Sequence, residues 1–211
     1  MQPRDFTSPL RKIGRYLLRY RKTKGYGVHS PHAYGFLREV ILQHGRYYAY
    51  APLRRQYLSL DPEEKKQSLS LKECKLLFRL ANDLQAEEAY LLHCSTGIEE
   101  GYLRAARSHI RIHTQIPRQA ETNQPAPRLF VVQGRTPDDD GLNETITRIL
   151  PLLHSTDCLL VSRLQQSARR RKYWRQWAAH PAVGIAFDLY TAGILLGKDG
   201  EYRRTHIRIN F

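Results

Sequence analysis

Apolar residues recur at helical spacing through the first 84 residues of this chain and then give way to short continuous runs. Ile13, Tyr16, Leu17 and Tyr20 fall on one face of a helix predicted over 7–23, which Ser8-Pro9 can open and Gly25 and Gly27 end. Ser30 then reads as an N-cap and Pro31 as the first residue of a helix reaching about Gln43, with Ala33, Phe36, Leu37, Val40 and Ile41 inward. The aromatic run Tyr47-Tyr48-Ala49-Tyr50-Ala51-Pro52 leads to a short helix near Leu53–Leu60. Residues 61–70 are polar and contain Pro62, which predicts a loop. Its length marks a hinge between an N-terminal helical cap, 1–60, and a main domain, 61–211. Helix Ser70–Leu84 follows, with Cys74, Leu77, Phe78 and Ala81 inward.

From there the period changes. Ala89–Cys94 reads as a short buried strand, Ser95-Thr96-Gly97 as a turn and Ile98–Arg107 as a helix. His109–Thr114 and Leu129–Val132 are strands, separated by a loop holding Pro117, Pro125 and Pro127. Helix Leu142–Leu153, strand Cys158–Val161 and helix Ala168–Ala179 complete the alternation. Val183–Leu189 and Gly193–Leu196 are strands joined by a short turn, and Thr205–Phe211 alternates to the end. Strand–helix alternation requires parallel pairing with right-handed crossovers, whereas short connections favour antiparallel pairing. The expected fold is α/β: a doubly wound, mostly parallel sheet with an antiparallel C-terminal edge, which receives ligands beyond the C-terminal ends of its strands.

At 211 residues and 41% hydrophobic, the chain can bury a core without disulfides or metal. It has no apolar run of membrane-spanning length, and MQPRDFTSPLRKIGRY has no secretory signal pattern. Cys74, Cys94 and Cys158 match neither a metal spacing nor a disulfide framework and read as reduced, buried thiols of a cytoplasmic protein. The formal charge of +14 bears on partners rather than fold. Between Arg4 and Lys24 stand eight Lys/Arg, among them Arg11, Lys12, Arg15 and Arg19, with Asp5 the one acid. A second cluster, Arg169-Arg170-Arg171-Lys172-Tyr173-Trp174-Arg175, interleaves cations and aromatics. Such patches suit nucleic acid or an acidic protein; the simpler account is a solvated basic face over inward-packed Tyr173, Trp174 and Trp177.

The order of elements, together with four segments, resembles class I S-adenosylmethionine-dependent methyltransferase-like proteins of Bacteroidetes. Gly25-Tyr26-Gly27-Val28-His29-Ser30-Pro31 resembles the segment that opens that family's helical cap, and Cys74–Leu80 the helix before its first strand. Ser95-Thr96-Gly97-Ile98 stands at its glycine turn, and Ala182–Phe211 resembles its closing strands, best at Asp188-Leu189-Tyr190 and Gly193-Ile194. The resemblance implies a Rossmann-like class I methyltransferase fold, S-adenosylmethionine as cofactor, and a pocket formed by Cys94, Ser95, Gly97, Gln115 and Gln133. It places His29 and Ser30 on the substrate or partner side, although Ser30 also serves as a cap.

The departures concern charge. Leu91 replaces the acid expected at the glycine turn, and His93 a glycine. Gln115 stands where an acid would hold the ribose hydroxyls, Gln133-Gly134 where an Asp-Gly turn is expected, and Ser162-Arg163-Leu164-Gln165-Gln166 where the family has an acidic segment. A glutamine accepts a hydrogen bond without charge assistance, and Arg163 would repel a sulfonium cation. The link from Gln115 to Arg128 is too short for the helix and strand that the resemblance implies. The leading expectation is therefore a methyltransferase-like pseudo-enzyme, its crevice filled by Leu91 and His93, with no catalytic residue and no metal set assigned. Two alternatives stand beside it. One is an active enzyme whose atypical pocket is rebuilt by Gln115, Gln133 and Asp138-Asp139-Asp140; those three acids read more simply as an exposed loop with an N-cap for the next helix. The other is a basic nucleic-acid-binding module.

Overall fold

The computed structural model describes residues 30–94, 97–117, 126–134, 138–200, 204–209 and 211. The helix expected over 7–23, the four N-terminal cations Arg11, Lys12, Arg15 and Arg19, His29 and Ser95 lie outside them.

Helix α1, Pro31–Phe36, begins as expected: the Ser30 hydroxyl accepts from the Ala33 amide at 3.3 Å, with Pro31 in the first turn. It runs on into a π-helical turn, Leu37–Ile41. Helices α2, Tyr50–Ser59, and α3, Pro62–Gln67, follow. The expected loop over 61–70 is thus mostly helix. Asp61 and Glu64 form a reciprocal capping box around Pro62, so the proline starts a helix here instead of breaking one. Helix α4, Leu71–Asp83, opens on a second capping box, between Ser70 and Glu73. On this helix, Arg79 donates to the carbonyls of Val40, at 2.5 Å, and Ile41, at 3.2 Å, and so satisfies buried carbonyls at the end of the π turn.

The remaining elements alternate: β1 Glu88–Leu92, α5 Ile98–Ala106, β2 Arg111–His113, β3 Arg128–Val132, α6 Asp139–Ile149, β4 Cys158–Val161, α7 Ala168–Ala178, β5 Val183–Asp188, β6 Gly193–Gly197 and β7 Thr205–Arg208. They build one seven-stranded sheet in the order β2-β1-β3-β4-β6-β5-β7. Strands β2, β1, β3 and β4 are parallel, and β6 lies between β4 and β5, antiparallel to both. This is the Rossmann-like class I arrangement. The expected antiparallel edge is corrected in one respect: the antiparallel strand is interior, and the edge strand β7 pairs parallel with β5. On the other side, β2 is the outermost described strand, in keeping with the short link after Gln115.

Side chains along the strands alternate between two cores, as the pleat requires. Leu129, Val131, Cys158 and Leu160 pack with α1, α4 and α5, whereas Phe130, Val132, Leu159 and Val161 pack with α6 and α7. The sheet is therefore covered on both faces, which explains why its strands read as continuous apolar runs. Beneath it, the buried Arg128 guanidinium meets Asp157 at 2.6 Å. Among the described residues, no helix is long and apolar enough to cross a membrane.

Two glycines separate packing need from chain freedom. A Cβ on Gly197 would fall on the His154 carbonyl, whereas one on Gly35 meets nothing within 4 Å. Gly197→Ala is expected to cost more than about 2 kcal/mol in denaturant unfolding, and Gly35→Ala to gain about 0.5–1 kcal/mol.

Candidate functional site

The order β2-β1-β3-β4 reverses direction between β1 and β3, so the crevice for a ligand in such a sheet lies beyond Leu92 and Val132. The structure brings Cys94, Gly97 and Gln133 to this end of the sheet, with Gln115 exposed two residues beyond β2. Ser30 is the cap of α1.

The crevice groups are engaged with the chain itself. His93 adopts a left-handed conformation, φ 60°, and its Nε2 lies 3.1 Å from the Thr145 hydroxyl on α6. It thereby links the loop after β1 to the helix after β3. Burial lowers the imidazole pKa, which favours the neutral ring. The Gln133 side chain is buried and donates its amide to the Gln67 carbonyl. Leu69 donates its amide at 2.7 Å to the carboxylate of Glu99, which is fully buried in the first turn of α5. Arg163, after β4, donates to the carbonyls of Lys66 and Ser68. The segment Lys66–Leu69 is therefore a strap, tied to the chain ends of β3 and β4 and to α5. Ser68 and Leu69 are each 1% exposed, so the second half of the strap is as buried as the core, whereas Lys66 is exposed. Leu91, expected to fill cofactor space, instead packs into the core beneath α4 and α5.

Arg170 holds the adjoining loops. The sequence placed it on a partner-facing basic patch, but it is 1% exposed. Its Nε lies 2.5 Å from Asp139, and its Nη1 donates to the Gly134 carbonyl and, at 2.7 Å, to Gln166. Asp138 caps α6 through the amides of Asp140, at 2.9 Å, and Gly141, at 3.2 Å; the expected N-cap is thus present, but Asp139 and Asp140 form the first turn of the helix instead of a loop. Burial raises the Asp139 pKa, but Ser167 and Arg170 outweigh it and hold the carboxyl below its ordinary value. Of the other cluster cations, Arg169 pairs with Asp140 at 2.8 Å and Arg171 donates to Gln165 at 3.3 Å. Trp174 and Trp177 face the core. The glycines also answer to packing: a Cβ on Gly134 would strike the Ser162 carbonyl, and Gly97 has ordinary dihedrals with open space at its Cβ position.

Sequence reasoning missed Glu99 and the strap. The signal for the strap was present in Asp61-Pro62-Glu63-Glu64 and Ser70-Leu71-Lys72-Glu73, two capping boxes that leave only Ser68, Leu69 and the cap Ser70 between helices. Among the described residues, no three His, Cys, Asp or Glu side chains gather as a metal set.

No family model and no curated protein matches this chain. Among solved structures, it is similar to an SAH-bound methyltransferase of Podospora anserina, with 9% identity and a TM-score of 0.49 over 94% of this chain and 99% of that one. The fold assignment rests on the strand order and crossovers described above.

Three outcomes follow from these contacts. Glu99→Gln should cost about 1–3 kcal/mol and speed hydrogen exchange at the Leu69 amide. Burial, reinforced at Cys74 and Cys94 by Glu99, raises all three thiol pKa values. Alkylation of the folded protein at pH 8 should therefore be slow at each cysteine and fast after unfolding. Because the folded pKa of Asp139 is depressed, its contribution to stability is complete above the unfolded value, about 4, and is lost as pH falls through the folded one. Asp139→Asn should flatten that acid limb in pH-dependent melting.

Proposed function

We propose that this protein is a methyltransferase-like pseudo-enzyme, a Rossmann-like fold that has given up methyl transfer and works as a binding module. The observation that carries this reading is the self-occupied crevice. Gln133 is bound to Gln67, Glu99 to Leu69 and His93 to Thr145, so the groups nearest the switch point are already paired within the chain. S-adenosylmethionine does not fit the residues present. A ribose diol calls for a carboxylate beyond the strand ends, and Leu91 and Gln115 provide none. A sulfonium calls for a neutral or acidic wall, and Arg163 lies beside the crevice.

The test is calorimetric titration of S-adenosylmethionine, then of its demethylated product, into the full chain, with thermal melting alongside. The expected result is no heat and no change in melting temperature at millimolar ligand. Micromolar binding, about −8 kcal/mol, would overturn the reading and favour an active enzyme with an atypical pocket.

A further inference from the structure

We propose that a groove beside the strap binds a small ligand through an anionic group, a carboxylate or a phosphate, with Arg163 as its anchor. The groove has a volume of about 400 Å³ and lies between the strap and the loop after β4, lined among others by Tyr57, Lys65, Glu73, Arg163 and Thr191. That volume suits a small molecule.

The charge distribution is what selects an anion. Arg163 is half-buried, and among the described residues no carboxylate lies within ion-pairing distance of it. Its Nη2 is used on the strap carbonyls, whereas Nε and Nη1 have no partner among the described residues. A guanidinium partly withdrawn from water, with the donors of Nε and Nη1 still unused, can receive an oxygen of a carboxylate or phosphate at either nitrogen. Lys65 adds a second cation: its Nζ donates at 2.7 Å to the Leu58 carbonyl and keeps two N–H groups. Among the described residues of the lining the one acid, Glu73, is bound within its own helix start. Its Oε2 accepts from the Ser70 amide at 2.9 Å and hydroxyl at 2.7 Å, at the positive end of α4.

Backbone strain provides an independent observation. Arg163 and Tyr190 are non-glycine residues at φ 59° and 75°, in the loops after β4 and β5. Both are locked, since the Leu164 amide donates to the Thr191 carbonyl at 2.9 Å and the Tyr190 amide to Asp188 at 3.0 Å. Left-handed residues of this kind cost energy and persist where a site needs a side chain aimed. The groove does not depend on the pseudo-enzyme reading: the cofactor titration tests the crevice, and anion binding tests the groove, so the two can fail separately.

The experiment titrates inorganic phosphate and citrate into the full chain at constant ionic strength, with chloride as the control. Wild type, Arg163→Gln and Lys65→Gln are compared by calorimetry and thermal melting. One of the two anions should bind more tightly than chloride, and whichever binds better identifies the ligand group. Arg163→Gln should weaken that binding by about tenfold, since it removes a charged fork. Because this variant also unties the strap, Lys65→Gln is the separate check: it lines the groove without holding the strap and should lose about threefold with an unchanged melting temperature. Equal affinity for phosphate, citrate and chloride overturns the proposal. So does full binding in both variants, or a loss confined to Arg163→Gln, which would be a strap effect.

Discussion

A guanidinium taken out of water must find acceptors on every side, because an unpaired buried charge costs several kcal/mol. Arg170 meets that demand at the C-terminal end of the sheet. Its acceptors come from the loop after β3, the first turn of α6 and the loop before α7, so those segments are fixed with respect to one another. Gly134 must then lack a side chain, because the chain passes against the Ser162 carbonyl. Gln133, immediately before it, is positioned to hold Gln67. The closed crevice thus follows from one buried charge and the loops that neutralise it.

The strand–helix alternation, the two-sided burial of the strands, the cap at Ser30 and an N-cap within Asp138-Asp139-Asp140 were legible in the sequence, because each rests on local periodicity or on a side chain within three residues of the amide it caps. The position of β7 was not, since nothing local distinguishes pairing with β5 from pairing with β6. Arg170 was misplaced for a related reason. In a run of four cations, only the helical phase set by Trp174 and Trp177 turns one of them inward, and its acceptors stand more than 30 residues away in Asp139 and Gly134. The crevice residues were visible as departures from a resembled pattern. The partners of Gln133 and His93, Gln67 and Thr145, were not, and neither was the Glu99–Leu69 pair, because they join distant segments.

The charge reversal around the strap gives these departures a common direction. Where a sulfonium ligand would want acids, this chain presents Arg163 with spare donors and withdraws Glu99 and Glu73 into bonds with its own backbone. The proposed loss of the cofactor and the proposed anion site therefore rest on the same few positions.

The interior placement of β6 governs how the sheet can assemble. Strands β5 and β7 touch the parallel half only through β6, which must leave β5 by a tight turn and come to rest on β4. The hairpin spanning 183–197 closes a short loop at little entropic expense, whereas its docking joins segments more than 30 residues apart. The hairpin is thus the local unit of this end of the sheet, and its seam with β4, like the pairing of β1 with β3, is a non-local contact whose loop must close before it can form.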